Sequence, residues 1–188
     1  MKYLGGKNKI SKYIADFIRD SVGPDMVDGY LEPFCGSLAI TVRMTDYKKV
    51  IASDIHSDLI KLWKEVQKNK FTPPATLNEE QWKEVKTHKS PSALKAFVGF
   101  GCSFGGKYFG GYAQKYTNGK KEDYLKAATN SINKISHSSY FRLTSIPYNL
   151  IKTKNDDYKH EGRGSVLNKG KKITIISVGP IMTTYAID

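Results

Sequence analysis

The 188-residue sequence predicts an α/β fold in which strands and helices alternate around a parallel sheet. Three observations predict it. At residues 30–34 an apolar, aromatic run is broken by an acidic-proline step and leads into a Cys-Gly-Ser turn, a second apolar run at residues 50–53 ends on Asp54, and an amphipathic stretch precedes both. Strand-like runs separated by helical stretches are typical of doubly wound sheets. We therefore expect helix, strand, helix, strand and helix over residues 1–66.

The first predicted helix follows a Gly-Gly loop near the N-terminus. Its apolar residues fall at i, i+3, i+4, i+7 and i+8 and predict one apolar face: Ile10, Tyr13, Ile14, Phe17 and Ile18. The glycines of the loop allow close approach of the backbone to a ligand, beside Tyr3 and Lys7. Taken alone, an ordinary loop with a solvated lysine explains this segment at least as well.

The turn after the first strand and the acid after the second indicate a cofactor site. Residues 35–37 lie between the strand and residues 39–44, which we predict to be helical. A strand, a tight turn and the start of a helix form the arrangement that carries a nucleotide-like cofactor. Asp54 comes eighteen residues after Gly36. A carboxylate at about that distance lies at the tip of the neighbouring strand and can accept both ribose hydroxyls.

The third predicted helix, which ends near residue 66, has an apolar and a charged side. We expect Leu59, Ile60, Leu62, Trp63 and Val66 to face the core. Its outer face is formed by Asp58, Lys61, Lys64 and Glu65. We assign this helix no direct chemistry.

A region of different composition follows, at residues 68–134. Two prolines interrupt the chain at residues 73–74, and Asn78 with the acidic residues after it indicates a helix start. In the block at residues 104–116, glycines and lysines alternate with five aromatic residues: Phe104, Tyr108, Phe109, Tyr112 and Tyr116. Such a block suits nucleic acid, because glycines admit phosphates, lysines neutralise them and aromatics stack on bases. The alternative is that the aromatics pack within their own domain, and both can hold for different residues.

The last part of the chain contains two strand-like runs, at residues 141–144 and 173–178. Between them, residues 152–172 are polar and rich in Gly, Lys and Asp, which indicates a loop or disorder.

Composition limits the classes of partner. A net charge of +12 and a pI near 9.5 favour an anionic partner, with nucleic acid first. A lysine-rich solvated surface would give the same charge. Neither the two cysteines, Cys35 and Cys102, nor the histidines show metal-ligand spacing, so we expect no metal. No run has membrane-spanning length, so we expect no membrane partner and an intracellular, cytoplasmic protein. The oligomeric state stays open.

Four blocks occur in a fixed order. They are Tyr-Leu-Gly-Gly-Lys at residues 3–7, Glu-Pro-Phe-Cys-Gly-Ser-Leu at residues 32–38, Ser-Asp-Ile-His-Ser-Asp-Leu-Ile at residues 53–60, and the Gly-aromatic segment at residues 96–112. In this order and spacing they resemble the Dam-type DNA adenine-N6 methyltransferases, particularly phage members. The resemblance spans residues 1 to about 148.

This resemblance implies a fold, a cofactor and a partner. The fold would be a Rossmann-like S-adenosylmethionine-dependent methyltransferase sheet, incomplete at the C-terminus, with an inserted and mainly helical recognition region. Residues 1–66 would form the cofactor-binding half, residues 67–134 the inserted region and residues 135–188 a partial catalytic region. S-adenosyl-L-methionine would be the cofactor and double-stranded DNA the partner.

The resemblance also implies individual site residues. The positions that match cofactor-binding positions of the family are Tyr3, Lys7, Glu32, Pro33, Phe34, Cys35, Gly36, Asp54 and Ile55. Among these, Asp54 matches the ribose-binding acid and Ile55 the residue that packs on the cofactor adenine. Ser37 and Leu38 replace glycines that many members carry. Lys107 and Tyr108 are the candidates for contacts to DNA.

The catalytic tetrapeptide Asp-Pro-Pro-Tyr of this family does not occur in the sequence. Its Asp side chain and a Pro carbonyl accept hydrogen bonds from the adenine amine, and its Tyr stacks on the base. The nearest positional equivalent, Gly-Pro-Ile-Met at residues 179–182, lacks both the acid and the aromatic ring. The Ile-Pro-Tyr at residues 146–148 falls too early. We therefore name no catalytic residue and expect a truncated or frame-shifted gene product, or a degenerate paralogue.

Two other functions compete with a DNA methyltransferase. A non-catalytic DNA-binding protein with the methyltransferase fold would account for the missing tetrapeptide, but has no use for Asp54. A Rossmann-type dehydrogenase is disfavoured, because residues 32–37 lack the G-x-G-x-x-G spacing that binds a pyrophosphate.

Overall fold

The structure is a computed structural model that describes residues 1–117, 120–136 and 142–144. Its helices are α1 (Ser11–Ser21), α2 (Ser57–Gln67), α3 (Glu79–Thr87), α4 (Ala93–Ala96) and α5 (Leu125–Ser136). Its strands are β1 (Tyr30–Glu32), β2 (Val50–Ser53), β3 (Gln114–Thr117), β4 (Lys120–Asp123) and β5 (Arg142–Thr144). The predicted loop at residues 152–172 and the predicted strand at residues 173–178 lie outside the described residues.

The three strands that organise the fold form a parallel sheet in the order β1-β2-β5. Tyr30 pairs with Val50, and Ile51 pairs with Arg142. Because the carboxyl ends of parallel strands meet at one edge, the residues that follow β1 and β2 are brought together there. The three predicted strands are confirmed, at Tyr30–Glu32, Val50–Ser53 and Arg142–Thr144, and the chain has a mixed α/β fold with a small parallel sheet.

Helix α2 packs its apolar side into the core, as predicted. Leu59, Leu62 and Trp63 are all essentially inaccessible to solvent. The prediction that Asp58 lies on the outer face is wrong, because its side chain is 6% exposed. The Asp58 carboxylate accepts hydrogen bonds from the Ser92 backbone N–H at 2.7 Å and from the Tyr108 hydroxyl. The segment after α3 folds over the start of α2 and covers this acid.

Helix α1 forms where it was predicted, but most of its predicted apolar face does not point into the core. Ile10 is 47%, Tyr13 74% and Phe17 62% exposed. The helix buries Ile18 as predicted, but its other buried residues are Ser11 and Ala15. The small side chains of Ser11 and Ala15 let the helix lie close to residues 41–46.

Polar contacts fix α1 in this rotation. Arg43 donates to the Ser11 hydroxyl at 2.9 Å, and Arg19 donates to the Asp46 carboxylate at 2.7 Å. Hydrophobic periodicity does not reflect such contacts, which explains why only Ile14 and Ile18 of the predicted face pack against the core.

The helix predicted at residues 39–44 is also wrong. Only a single 3₁₀ turn, Thr41–Arg43, forms there. Leu38 lies in the left-handed region with φ of +59° and therefore cannot serve as part of a regular helix entry. The Tyr47 hydroxyl, which donates to the Val22 carbonyl at 2.6 Å, holds the chain soon after the turn. Few residues remain before β2 begins.

The region between β2 and β5 begins at a well-defined helix start. Asn78 accepts a hydrogen bond from the Gln81 N–H, and the Gln81 side chain accepts one from the Asn78 N–H, so the predicted start of α3 is a capping box. Helix α4 runs directly into a π-helical turn, Phe97–Gly101. Strands β3 and β4 form an antiparallel ribbon.

Candidate cofactor-binding site

The turn after β1 and the acid after β2 are in direct contact. The Gly36 N–H donates to Asp54 Oδ2 at 3.0 Å, and the His56 N–H donates to Asp54 Oδ1 at 3.0 Å. The Asp54 side chain is only 6% exposed. The carboxylate is therefore oriented by two backbone donors, one from each side.

The turn itself is tight and left-handed. The Leu38 N–H donates to the Cys35 carbonyl at 2.7 Å, and the Cys35 N–H donates to the Ser53 carbonyl at 2.8 Å. φ is +47° at Gly36 and +59° at Leu38. The second bond ties the turn to the end of β2. By the resemblance described above, Leu38 replaces a glycine that many Dam-type members carry. Its backbone is strained, and its side chain is fully buried.

Trp63 of α2 is a site residue that the sequence did not reveal. Its indole Nε1–H donates to the Gly36 carbonyl at 2.8 Å, and both groups are buried. In the sequence Trp63 is one of several apolar residues on a core-facing helix. Its only available signal was the polar N–H group, which needs a partner when an indole is buried.

Tyr3 packs its ring on the open side of Gly36. A Cβ at residue 36 would lie 2.9 Å from Tyr3 Cε1, so any side chain there would collide with the ring. The same ring lies 4.9 Å from the ring of Phe100. Burial, followed by the nearby Asp54 carboxylate, raises the pKa of Tyr3 to about 12. The phenol thus stays neutral beside the acid.

Glu32 ends β1 with a second carboxylate. Thr41 donates its hydroxyl to Glu32 Oε2. Burial raises the pKa of Glu32 to about 7, and the charge of Asp54 acts in the same direction. Pro33, which follows Glu32, also has a polar contact: its carbonyl accepts a hydrogen bond from the Ser53 hydroxyl at 3.2 Å. Phe34 is half-buried.

The other two residues matched to cofactor positions are solvent-exposed. Ile55 is 59% exposed. The Lys7 ammonium donates to the Gly5 carbonyl at 2.7 Å. An open cleft of about 570 Å³ runs along the N-terminal loop, and its lining in the described part of the chain includes Tyr3 and Lys7 but neither Gly36 nor Asp54. The structure therefore brings Tyr3, Gly36 and Asp54 together, and Lys7 lines the cleft without a described contact to Gly36 or Asp54.

An aromatic cluster around His56 lies beside Asp54. The His56 ring lies 4.9 Å from the Phe100 ring and 4.4 Å from the Tyr108 ring, in edge-on contact with both. Burial lowers the pKa of His56. Within the described residues, its Nδ1 atom has no hydrogen-bond partner.

The two candidate DNA-contacting residues differ in their surroundings. The Tyr108 hydroxyl is bonded to Asp58, and burial, followed by that bond, raises its pKa. The other candidate, Lys107, is exposed, and the nearby Phe104 is 69% exposed. Packing within the domain, the alternative noted for the Gly-aromatic segment, therefore holds for Tyr108 and the buried Phe109, whereas Phe104 and Lys107 face solvent.

Comparison with known families supplies the decisive observation. The sequence model of the D12 class of N6 adenine-specific DNA methyltransferases matches residues 3–98, which are 96 of the 188 residues. The chain belongs to this family. The Dam-type resemblance seen in the sequence is thereby confirmed. A search of curated proteins finds no match.

In this D12-class chain, the matched segment contains Tyr3, Gly36, Asp54 and Trp63. Lys107 lies beyond it. In the described ranges, which end at residue 144, no group of three or more His, Cys, Asp or Glu residues could hold a metal ion. None of the helices described is long and apolar enough to span a membrane.

Proposed function

We propose that this chain binds S-adenosyl-L-methionine between the turn after β1 and Asp54, in a Rossmann-like sheet, and transfers its methyl group to N6 of adenine in double-stranded DNA. Membership of the D12 class supports the reaction. The observation that carries the cofactor assignment is the 3.0 Å hydrogen bond from Gly36 to Asp54, which joins the two sequence elements such a cofactor needs.

Asp54 is suited to hold a ribose. Each oxygen of an ionised carboxylate has two acceptor positions, and the backbone donors occupy one on each oxygen. The remaining positions can accept the two ribose hydroxyls. Asp54 is 6% exposed, so neighbouring side chains must move aside when a ribose binds. A cofactor without phosphates does not require a G-x-G-x-x-G loop.

The reaction would be a direct transfer, without a covalent enzyme intermediate. The cofactor supplies an electrophilic methyl group on a positively charged sulfur. The protein must hold the adenine, flipped from the duplex, with its amine in line with that methyl group. No Asp-Pro-Pro-Tyr occurs in the sequence to accept hydrogen bonds from the amine, so we assign this role to no residue.

We further propose residues 67–134 as the region that recognises DNA. Phe104 and Lys107 support this, because an exposed aromatic ring and a lysine flank Gly105, whose φ is +63°. Such a turn can bring its backbone close to phosphates while the ring contacts bases. Tyr108 is expected to act from within the fold, by holding the segment in place.

Calorimetric titration with S-adenosylhomocysteine tests the cofactor site. Wild-type protein should release or absorb measurable heat on binding. Asp54→Ala should abolish or weaken binding by at least tenfold, because it removes the acceptor for the ribose hydroxyls. An exposed acid on α1, Asp16, provides a control: Asp16→Ala should bind like wild type. Absence of binding by the wild-type protein would refute the proposal.

A non-catalytic DNA-binding protein is the second candidate, and the missing tetrapeptide favours it. The two are separated by incubating the protein with an adenine-containing duplex and S-adenosylmethionine that carries a radioactive methyl group. Radioactive label in the DNA supports the methyltransferase function. Binding of DNA without binding of the cofactor supports the second candidate, whereas binding of both without transfer of label indicates a methyltransferase that has lost its activity.

A further inference from the structure

The turn at residues 35–38 contains one peptide group that can face two ways. Because Leu38 bonds back to Cys35, Gly36 and Ser37 are the central residues of a β-turn. φ is positive at Gly36 and not at Ser37, which is the pattern of a type II′ turn. Rotation of the peptide between these two residues would convert it to a type I′ turn, and would change which way the carbonyl and the N–H of that peptide point.

Trp63 holds this peptide. The Gly36 carbonyl, which belongs to it, accepts the indole N–H at 2.8 Å. Trp63 is 1% exposed, so water cannot replace either partner. Rotating the peptide would leave a buried donor and a buried acceptor unpaired.

The two polar groups of Gly36 are thus held by different elements. Its N–H bonds to Asp54 at the end of β2, and its carbonyl bonds to Trp63 in α2. With Tyr3 packed on its remaining side, this glycine has a single accessible conformation.

We propose that Trp63 is a positioning residue: it keeps the Gly36–Ser37 peptide in the orientation that binds the cofactor. This inference rests on the proposed function, since it names a determinant of the same site. Trp63 acts through Gly36 and not by touching the cofactor. It is therefore expected to affect cofactor affinity without any effect on the chemistry of transfer.

The first experiment compares the two tryptophans of the chain by calorimetry with S-adenosylhomocysteine. Trp82 is a matched control, because it is also buried and donates its indole N–H to the Ser103 hydroxyl at 3.1 Å. Trp63→Phe should raise the Kd about tenfold, which corresponds to about 1.4 kcal/mol. Trp82→Phe should leave the Kd within about twofold of wild type, although both variants lower the melting temperature.

A double-mutant cycle distinguishes positioning from simple packing. Ser37→Gly allows positive φ at residue 37 and thus makes the type I′ turn accessible. The factor by which Ser37→Gly raises the Kd should be at least about threefold larger in the Trp63→Phe background than in the wild-type background. A purely packing role for Trp63 predicts equal factors.

The indole N–H signals of isotopically labelled wild-type protein give a test that needs no variant to fold. The chain has two tryptophans and so two such signals, which Trp82→Phe assigns. Saturating S-adenosylhomocysteine should shift the Trp63 signal and slow its hydrogen exchange, and should leave the Trp82 signal in place.

The outcomes separate this inference from the proposed function. No binding to wild-type protein refutes the proposed function. If wild type binds, and folded Trp63→Phe binds within about twofold of it, the inference is overturned. If Trp63→Phe does not fold, a Trp63 signal that is unchanged at saturating ligand overturns it.

Discussion

Leu38 combines a strained backbone with complete burial. A non-glycine residue at φ of +59° is strained by about 1 kcal/mol relative to glycine, while its buried side chain contributes to the core. Replacement by Ala removes the side chain and keeps the strain, whereas replacement by Gly removes both.

Both Leu38 variants should therefore be destabilised, by roughly 2–5 kcal/mol for Leu38→Ala. Leu38→Gly should be more stable than Leu38→Ala by about 1 kcal/mol, the reverse of the usual order. Urea unfolding of the two proteins measures the difference. Ala15 in α1 gives the comparison, since Ala15→Gly should be less stable than wild type. If Leu38→Ala is as stable as Leu38→Gly, the backbone at residue 38 is not strained.

Glu32 should make stability fall as the pH rises. Its pKa is about 7 in the folded protein and 4.5 as the ordinary value, so the folded state holds its proton more tightly. The stabilising contribution is complete below pH 4.5 and is lost as pH rises to 7. The loss should be roughly 1–3 kcal/mol.

Unfolding at pH 5 and at pH 7.5 tests this. Glu32→Gln, which keeps an acceptor for Thr41, should lack this component of the pH dependence. His56 acts in the opposite direction, because burial lowers its pKa and stability from it falls below pH 6.5. The quantity to compare is therefore the difference between wild type and Glu32→Gln at each pH. A difference that does not change with pH would show that the pKa of Glu32 is not raised in the folded protein.

At the scale of elements, the bond from Tyr108 to Asp58 joins the Gly-aromatic segment to the start of α2. The contact is close-fitting, since a Cβ on Gly99 would lie 2.6 Å from the Tyr108 ring. Tyr108→Phe should lower the free energy of unfolding by about 1.5–3 kcal/mol, the range for a hydrogen bond to a charged group. Tyr13→Phe removes a hydroxyl from a side chain that is 74% exposed and should change it little. Equal effects in chemical denaturation would mean that the bond contributes nothing.

The sequence predicted the elements better than their orientations. The strands Val50–Ser53 and Arg142–Thr144 and the helix start at Asn78 follow from local patterns, so the sequence predicts them directly. The buried face of α1 depends on Arg19 and Arg43 finding partners far along the chain, and periodicity carries no such information.

The candidate site could be predicted in part for the same reason. Gly36 and Asp54 are linked by spacing and by the geometry of parallel strands, which the sequence encodes locally. The contribution of Trp63 depends on how α2 packs behind the turn. Likewise, the burial of Asp58 depends on a segment some 50 residues away, at Tyr108.

For the whole molecule, the net charge of +12 predicts DNA binding that weakens steeply with salt. Lys107→Ala should reduce the slope of log K against log salt by about one, as expected for one phosphate contact. Lys64→Ala removes the same charge from the exposed side of α2 and should change the slope less. Fluorescence anisotropy with a labelled duplex, between about 50 and 200 mM salt, gives both slopes. Identical slopes for the two variants would indicate that only total charge matters.

The contacts around Gly36 affect when the folding chain can first bind its ligand. The neighbours of this glycine come from the amino-terminal loop, the second strand and the following helix, so no short fragment reproduces them. Nascent chains would become competent for the ligand only after about a third of the polypeptide has assembled. Ligand binding during refolding would then report that these three elements have come together.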